Sequence, residues 1–257
     1  TRGHVLRGKI GQPSTPMSLA ADGALSLGVK IGRRSAEVVL INFVGEVRAA
    51  LRESYAWPMP DAIISFVRKS VTDIAAKLSD ADAKRMVGTH WWNPPYLIPL
   101  VEVIQANRSE VKYVERCIDI LKRAGKHAVH VKRDVPGFVG NRLQHALWHE
   151  AVALVDAGVC DAATVDEVIK NSFGIRLPVL APLENADLVG LDLTQDIHDV
   201  ILRHLDRSEA PAAILREKVK KGELGMKSGK GFYDWTPESA NAVRTRMLDH
   251  LRKVLKP

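Results

Sequence analysis

The chain has 257 residues, of which 46% are hydrophobic and 26% are charged. These proportions are typical of a folded protein of one or two domains, and no apolar stretch approaches the about eighteen residues that a membrane-spanning helix needs. The 37 Lys and Arg residues outnumber the 30 Asp and Glu residues, and the net charge of +7 favours a phosphate-bearing partner such as a nucleotide, CoA or a nucleic acid.

The first half of the chain carries a pattern of short apolar runs. Residues 38–41 are apolar and mostly β-branched, which predicts a strand buried on both faces in a parallel sheet. Residues 49–55 are expected to form a helix, and Pro58 and Pro60 then break the chain before a second buried strand at 62–65. Strand, helix and strand over residues 36–65 together predict a βαβ unit.

Helical periodicity becomes stronger further along the chain. Helices are predicted at 71–78 and 110–124, and a strand at 127–132. Residues 134–137, Asp-Val-Pro-Gly, are expected to break the chain, and an apolar stripe then predicts a long buried helix at 138–157. Further helices are expected at 162–171, 195–205, 211–221 and 238–255. The pattern predicts two domains, an α/β region at residues 1–134 and a helical one at 135–257.

One histidine and one carboxylate stand out as candidates for chemistry. His90 precedes a turn, and Glu102 follows it by twelve residues across an apolar stretch. A carboxylate can fix the tautomer of a histidine and hold the imidazolium that forms, so the two would make a competent general base. From the spacing alone, a partly buried structural histidine and a surface acid remain the alternative interpretation of these two residues.

Three blocks of sequence resemble one enzyme family. Residues 90–94, His-Trp-Trp-Asn-Pro, and 100–104, Leu-Val-Glu-Val-Ile, resemble the His-Phe-Phe-Asn-Pro and Leu-Val-Glu-Val-Ile signature of the 3-hydroxyacyl-CoA dehydrogenases. Residues 134–143 look like the segment that opens the helical domain of this family. Residues 225–233, Gly-Met-Lys-Ser-Gly-Lys-Gly-Phe-Tyr, are similar to its closing Gly-x-Lys-Thr-Gly-x-Gly-Phe-Tyr. Three matches in the same order make a chance resemblance improbable.

The resemblance implies a fold and a function. The fold would be a partial Rossmann-like parallel sheet followed by a helical domain like the C-terminal domain of 6-phosphogluconate dehydrogenase. The function would be NAD-dependent oxidation of a (3S)-3-hydroxyacyl-CoA, or a related 3-hydroxy acid, to the 3-oxo product. It also implies a homodimer that binds a small-molecule substrate, without a nucleic-acid or membrane partner. The expected pathway is fatty acid metabolism.

The resemblance also assigns site residues. His90 would take the proton from the 3-hydroxyl group, and Glu102 would orient His90. Asn141 would hydrogen-bond near the reacting oxygen, although an asparagine there could equally cap a helix. Asn93 and Lys227 match family positions that contact the dinucleotide, and Lys227 could equally be a solvated loop cation.

The sequence departs from the family in its first part. The family begins with Gly-x-Gly-x-x-Gly, whose glycines let the backbone approach the pyrophosphate, and this chain has no such triplet. Since only 89 residues precede His90, the first strands are expected to be absent or replaced. The alternative function is therefore a catalytically silent remnant that acts as a dimerisation or acyl-CoA-binding module.

Metal binding and secretion are both disfavoured. His145 and His149 have the spacing of two metal ligands on a helix, but a third ligand is not evident, so no metal site is predicted. Cys117 and Cys160 stand far apart and form neither a disulfide framework nor a zinc knuckle. A reducing cytoplasm fits this cysteine usage best.

Overall fold

A computed structural model describes residues 18–32 and 34–255, apart from the side chain of Asp22. The described chain forms two compact units. The first contains the described residues up to Val87 together with Arg108–Tyr113, and the second contains Gly88–Asn107 and the residues from Val114 onward. The predicted domain boundary at residue 134 stays a prediction.

The first unit is an antiparallel sheet with helices. Strands β1 (Leu25–Ile31), β2 (Ser35–Asn42) and β3 (Val47–Ser54) pair in the order β1-β2-β3, with both pairs antiparallel. Helices α1 (Pro60–Ala75) and α2 (Asp80–Arg85) follow. Val38 and Leu40 of β2 pack with Ile74 of α1 to form the core of this unit.

The βαβ unit predicted at residues 36–65 is wrong. Residues 38–41 lie in the central strand of an antiparallel sheet, where alternate side chains are buried. The prediction failed because a short apolar run does not distinguish such a strand from a parallel one. Residues 49–55 favour a helix by propensity, but they pair with β2 and form β3. Residues 62–65 lie inside α1, which begins at Pro60, a residue suited to the first helical turn.

The second unit begins with a small mixed sheet. Strands β4 (Gly88–Trp91), β5 (Leu100–Ile104) and β6 (His127–Val131) pair in that order. Strand β4 is antiparallel to β5, whereas β5 is parallel to β6, and α3 (Val111–Arg123) lies between β5 and β6 in the sequence. The structure therefore confirms the helix predicted at 110–124 and the strand predicted at 127–132.

The rest of the second unit is helical. Its helices are α4 (Gly140–Asp156), α5 (Ala162–Asn171), α6 (Pro182–Val189), α7 (Leu191–Ile201), α8 (Ala213–Lys220) and α9 (Pro237–Val254). All five helices predicted after residue 137 are present, and α6 was missed. The ends of α4, α5, α8 and α9 lie within two residues of the prediction, whereas α7 begins and ends four residues earlier than the helix predicted at 195–205. The prediction that helix 138–157 is buried is wrong within this chain, because no residue of α4 is fully buried and Leu143 is exposed.

Acidic side chains of α4 hold the neighbouring segments. Asp156 accepts hydrogen bonds from the backbone N–H groups of Ala213 and Ile214, and so caps the first turn of α8. His149 Nε2 lies 2.8 Å from Asp206 Oδ2, so this histidine has a carboxylate partner on the segment before α8.

None of the helices described here is long and apolar enough to span a bilayer.

Candidate active site

His90 and Glu102 lie directly opposite each other on neighbouring strands. The antiparallel register of β4 and β5 pairs these two residues, and the His90 Nδ1 atom lies 2.7 Å from Glu102 Oε2. Since an ionised carboxylate only accepts hydrogen bonds, Nδ1 carries the proton and Nε2 holds the lone pair in the neutral ring. The pair therefore presents a basic nitrogen whose tautomer is fixed.

Glu102 is buried and holds a second set of hydrogen bonds. It is 1% exposed on the central strand of the small sheet, with Val101 and Val103 also buried beside it. Its Oε1 atom accepts from the backbone N–H groups of Val139, at 2.9 Å, and Gly140, at 3.1 Å. These donors lie at the start of α4, where the first N–H groups of a helix have no partner within the helix. Glu102 thus acts as a cap supplied from a distant strand, and the surface acid considered from the sequence is ruled out.

The hydrogen bonds decide the ionisation of Glu102. Burial alone would raise the pKa of this carboxyl group, but the hydrogen bond from His90 and those from Gly140 and Val139 outweigh burial and lower the pKa below its ordinary value. The positive end of the α4 dipole acts in the same direction. Glu102 is therefore negatively charged at neutral pH and can stabilise a protonated His90.

Two aromatic rings flank the His90 imidazole. The ring centroid of Phe138 lies 5.2 Å from that of His90, and the ring centroid of Trp92 lies 5.7 Å from it. Phe138 has a φ of 49°, in the left-handed region, where a residue with a side chain is strained by about 1–3 kcal/mol. The His90 side chain nevertheless stays 24% exposed, so the imidazole is packed on its sides without being sealed from a ligand.

The other three predicted site residues occupy different positions. Asn141 is the second residue of α4 and is half-buried, and no partner for its side-chain amide is found in the described part of the chain. Glu102 rather than Asn141 caps this helix, so the capping interpretation of Asn141 is wrong. Asn93 is exposed, three residues after His90. The structure thus brings His90 and Glu102 into contact and places Asn141 next to a residue that binds Glu102.

Lys227 lies on a tight turn formed by residues 225–235. A Cβ atom on Gly231 would lie 2.7 Å from the Gly225 Cα atom, so this turn requires glycine where its two arms meet. Lys218 of α8 donates to Gly231 O at 2.8 Å and pairs with Glu223 at 3.1 Å, which fixes the turn to the helix. Lys227 itself is exposed, and the described residues include no hydrogen bond between it and the other four candidates.

A tyrosine holds the far end of the same turn. Tyr233 O–H donates to Asp166 Oδ2 of α5 at 3.0 Å. Burial and this carboxylate together raise the pKa of Tyr233 to about 12. Turn 225–235 is therefore anchored at both α8 and α5.

Sequence reasoning missed the groups around the pair. These are the backbone N–H groups of Val139 and Gly140 and the rings of Trp92 and Phe138. The unusual composition of residues 137–141, Gly-Phe-Val-Gly-Asn, was the available signal, because two glycines before a helix indicate a special backbone conformation or a close approach.

The histidines of α4 have partners of their own. The His145 ring packs edge-on against Trp148 at 5.1 Å, and His149 pairs with Asp206. Within the described ranges, no group of three or more His, Cys, Asp or Glu side chains could hold a metal ion.

Comparisons with known proteins connect this geometry to one family. Residues 137–235 match the 3-hydroxyacyl-CoA dehydrogenase, C-terminal domain, and residues 59–135 match the 3-hydroxyacyl-CoA dehydrogenase, NAD binding domain. The chain belongs to the 3-hydroxyacyl-CoA dehydrogenase family. The predicted family and fold class, and NAD as the cofactor of that family, are confirmed at this level.

Individual proteins are also similar to this chain over much of its length. The 5-formyl-3-hydroxy-2-methylpyridine 4-carboxylate 5-dehydrogenase of Mesorhizobium japonicum is 35% identical over 189 residues, which are 72% of this chain and 60% of that protein. A probable 3-hydroxybutyryl-CoA dehydrogenase of Bacillus subtilis is 37% identical over 171 residues, 66% of this chain and 58% of that protein.

A solved structure also resembles the chain. The crystal structure of a 5-formyl-3-hydroxy-2-methylpyridine 4-carboxylic acid 5-dehydrogenase, described as an NAD+-dependent dismutase, matches with a TM-score of 0.66 and 35% identity. That match covers 72% of this chain and 59% of the solved one. This chain therefore spans about three fifths of the length of each of these relatives.

The described residues fit NAD only in part. The exposed side chains of Asn93 and Lys227 are available to a dinucleotide. The sequence has no Gly-x-Gly-x-x-Gly turn, and the strands described at residues 25–54 are antiparallel, so no segment described here forms the pyrophosphate cradle of this family. The fit is therefore limited to these two exposed side chains.

Proposed function

We propose that this chain carries the proton-transfer site of an NAD-dependent dehydrogenase that oxidises a (3S)-3-hydroxyacyl-CoA, or a related 3-hydroxy acid, to the 3-oxo product. The observation that carries this proposal is the buried carboxylate of Glu102, which bonds His90 through one oxygen and the start of α4 through the other. A buried, ionised carboxylate behind a partly exposed histidine is an arrangement well suited to general-base catalysis.

The proposed mechanism begins at Nε2, the ring nitrogen of His90 that Glu102 does not hold. Nε2 takes the proton of the substrate 3-hydroxyl group, and the imidazolium that forms is stabilised by the Glu102 carboxylate at 2.7 Å from Nδ1. As the O–H bond breaks, the C–O bond becomes a carbonyl and the hydrogen on C3 leaves as hydride. Bound NAD, which Asn93 and Lys227 would contact, would supply the acceptor for that hydride. Phe138 and Trp92 restrict how far the imidazole can rotate during the transfer.

Asn141 is the proposed donor to the reacting oxygen. It lies one residue after Gly140, whose N–H binds Glu102, so its amide is held on the same helix turn as the Glu102 contact. A side-chain amide can donate to a developing carbonyl without changing charge. Asn93 and Lys227 are the proposed contacts to the cofactor, and both side chains are exposed.

The substrate is proposed as a class. The similarity to a 3-hydroxybutyryl-CoA dehydrogenase supports an acyl-CoA, and the similarity to a pyridine-carboxylate dehydrogenase supports a free acid. Both are small molecules with an oxidisable carbon near a carboxyl-derived group. A panel that compares 3-hydroxyacyl-CoA thioesters with free 3-hydroxy acids, each with NAD, distinguishes the two.

The test of this function is cofactor binding followed by turnover. We expect the purified chain to bind NADH saturably in a fluorescence titration and to produce NADH from NAD with at least one member of that panel. The absence of NADH binding at about millimolar cofactor, the weak end of protein–ligand affinities, would instead support a silent module that binds acyl-CoA or dimerises.

A second copy of the chain is the proposed partner of the helical region. Among the described residues after 134, Ala240 is the one apolar side chain that is fully buried, whereas Leu183 and Leu188 of α6 are 82% and 71% exposed. Exposed apolar surface on this scale indicates an interface. We expect a dimer by sedimentation equilibrium, and Leu188→Asp should weaken it while Ile64→Asp, on α1, should not. A wild-type monomer at micromolar concentration would contradict this proposal.

The cytoplasm is the proposed compartment. Cys117 and Cys160 are both free thiols, which suits a reducing environment. Burial raises the pKa of the Cys117 thiol, so it is expected to be unreactive.

A further inference from the structure

Trp92 and Gly140 make an unusually close contact next to the proton-transfer site. A Cβ atom built on Gly140 would lie 2.3 Å from Cζ2 of the Trp92 indole, and 3.2 and 3.3 Å from Cε2 and Cη2. Real Cβ atoms essentially never approach another atom this closely, so any side chain at position 140 requires the ring or the helix to move. The six-membered ring of Trp92 thus fills the space that glycine leaves at the start of α4.

Packing rather than hydrogen bonding holds the Trp92 ring. Its Nε1 atom is buried and has no hydrogen-bond partner among the residues that the structure describes. Buried donors of this kind are rare, because each one loses its bond to water without replacing it. The ring position is therefore stabilised by contacts such as that with Gly140. A phenylalanine at position 92 would remove Cζ2 and Cη2 without removing a hydrogen bond.

Gly140 also touches the catalytic pair through its backbone. Its N–H donates to Glu102 Oε1 at 3.1 Å, while its Cα faces the Trp92 ring. Glu102 in turn binds His90 at 2.7 Å. A displacement of Gly140 away from the indole would therefore lengthen its hydrogen bond to Glu102. It would also move Asn141, the next residue of α4.

We propose that Trp92 and Gly140 are a positioning pair, in which the contact between the indole and the glycine sets how closely the start of α4 approaches Glu102. This inference rests on the proposed function, because it concerns the site assigned there. Neither residue transfers a proton. They act through Glu102, by keeping its second oxygen bonded to the helix.

Helix propensity and the proposed contact predict opposite results for Gly140→Ala. Alanine favours a helix more than glycine does, so propensity alone predicts a more stable protein. The overlap with Trp92 predicts a less stable one. In a protein that already carries Trp92→Phe, the overlap is relieved, and Gly140→Ala should then be neutral or stabilising. The sign of the change in stability thus depends on residue 92.

The first experiment is a double-mutant cycle on stability that needs no substrate. Urea unfolding is measured for wild type, Gly140→Ala, Trp92→Phe and the double variant, with Trp57→Phe as a control for a tryptophan that is 77% exposed. We expect Gly140→Ala to lower the urea midpoint and the double variant to recover it. Equal effects of Gly140→Ala with and without Trp92→Phe would overturn the proposal. If Gly140→Ala does not fold, a folded double variant supports the contact and an unfolded one contradicts it.

The second experiment follows Glu102 itself. The pKa of Glu102, from NMR of protein labelled with carbon-13 at the glutamate carboxyl, should rise in Gly140→Ala and return in the double variant, because the carboxylate regains its backbone donor. A merely structural role would leave this pKa unchanged. The resonance is assigned by its absence in Glu102→Gln.

Turnover gives a third and separate result. In Gly140→Ala, kcat should fall by about 10–100-fold, because small misplacements of catalytic groups slow a reaction by this much. The acid limb of the pH profile of kcat/KM should move to higher pH, because the pKa of Glu102 rises. Both should recover in the double variant, and Trp57→Phe should match wild type. If wild type itself does not turn over, the proposed function fails, whereas the stability cycle and the Glu102 titration still decide the positioning role.

Discussion

The carboxylate of Glu102 joins His90 to the backbone N–H of Gly140, with distances of 2.7 Å to the imidazole and 3.1 Å to the helix. Both oxygens are therefore used, and the proton-transfer pair cannot reorient without also releasing the first turn of α4. Glu102 alone therefore sets the tautomer of His90 and caps the start of α4, and these same bonds keep its own carboxyl group ionised.

Replacing Glu102 with glutamine should impair the reaction while keeping the fold. The variant Glu102→Gln preserves the shape of the side chain, but it removes the charge that stabilises a protonated His90. We expect kcat to fall by about 10²–10⁴-fold, the usual contribution of general acid–base catalysis. The measurement is kcat with saturating NAD and substrate, with circular dichroism to verify the fold.

A matched control for Glu102→Gln is Glu115→Gln, on the exposed face of α3. It makes the same chemical change at a solvated position and should leave kcat within about twofold of wild type, as surface substitutions away from special features do. Equal kcat values for both variants would show that the charge of Glu102 is not used in catalysis.

Acid should destabilise the protein partly through Glu102. The pKa of Glu102 in the folded state is below its ordinary value of 4.5. A depressed folded pKa contributes stability above the unfolded pKa, and this contribution is lost as the pH falls through the folded value. The amount by which the free energy of unfolding of wild type exceeds that of Glu102→Gln should therefore decrease as the pH falls from about 5 to about 3. Urea unfolding across this range measures it, and a constant difference would be inconsistent with the lowered pKa.

Lys218 should stabilise the turn that carries Lys227. Its Nζ atom donates to Gly231 O at 2.8 Å and lies over the Phe232 ring at 5.7 Å. We expect Lys218→Met to lower the midpoint of thermal unfolding by about 2–4 °C, the shift that the loss of one good hydrogen bond produces in a protein of this size. Lys220→Met, on the same helix but exposed, is the control, and equal midpoints for the two variants would contradict the role of Lys218.

The sequence predicted the contact between His90 and Glu102 better than it predicted the fold around these two residues. The spacing of twelve residues between His90 and Glu102, with a turn between them, is compatible with opposed positions on a hairpin, and the pair does lie there. The bonds from Glu102 to Val139 and Gly140 span 37 and 38 residues and depend on how α4 approaches the sheet. No local pattern contains that information.

The errors at residues 36–65 have a different cause. A run of β-branched residues fits a central antiparallel strand as well as a parallel one, and the pairing with β1 and β3 decides between them. The helical periods after residue 137 were easier to recognise because they continue over several turns. The burial of the helix predicted at 138–157 was wrong, because an apolar stripe indicates which face of a helix is covered but not which part of the protein covers it.

The most direct test of the central claim is the turnover of His90→Gln compared with that of His127→Gln. His127 is an exposed histidine on β6 of the same sheet, so the two variants make one chemical change inside and outside the proposed site. We expect His90→Gln to bind NADH like wild type but to lose about 10²-fold or more in kcat, while His127→Gln keeps its activity. Wild-type turnover in folded His90→Gln would contradict the role of His90 as the general base.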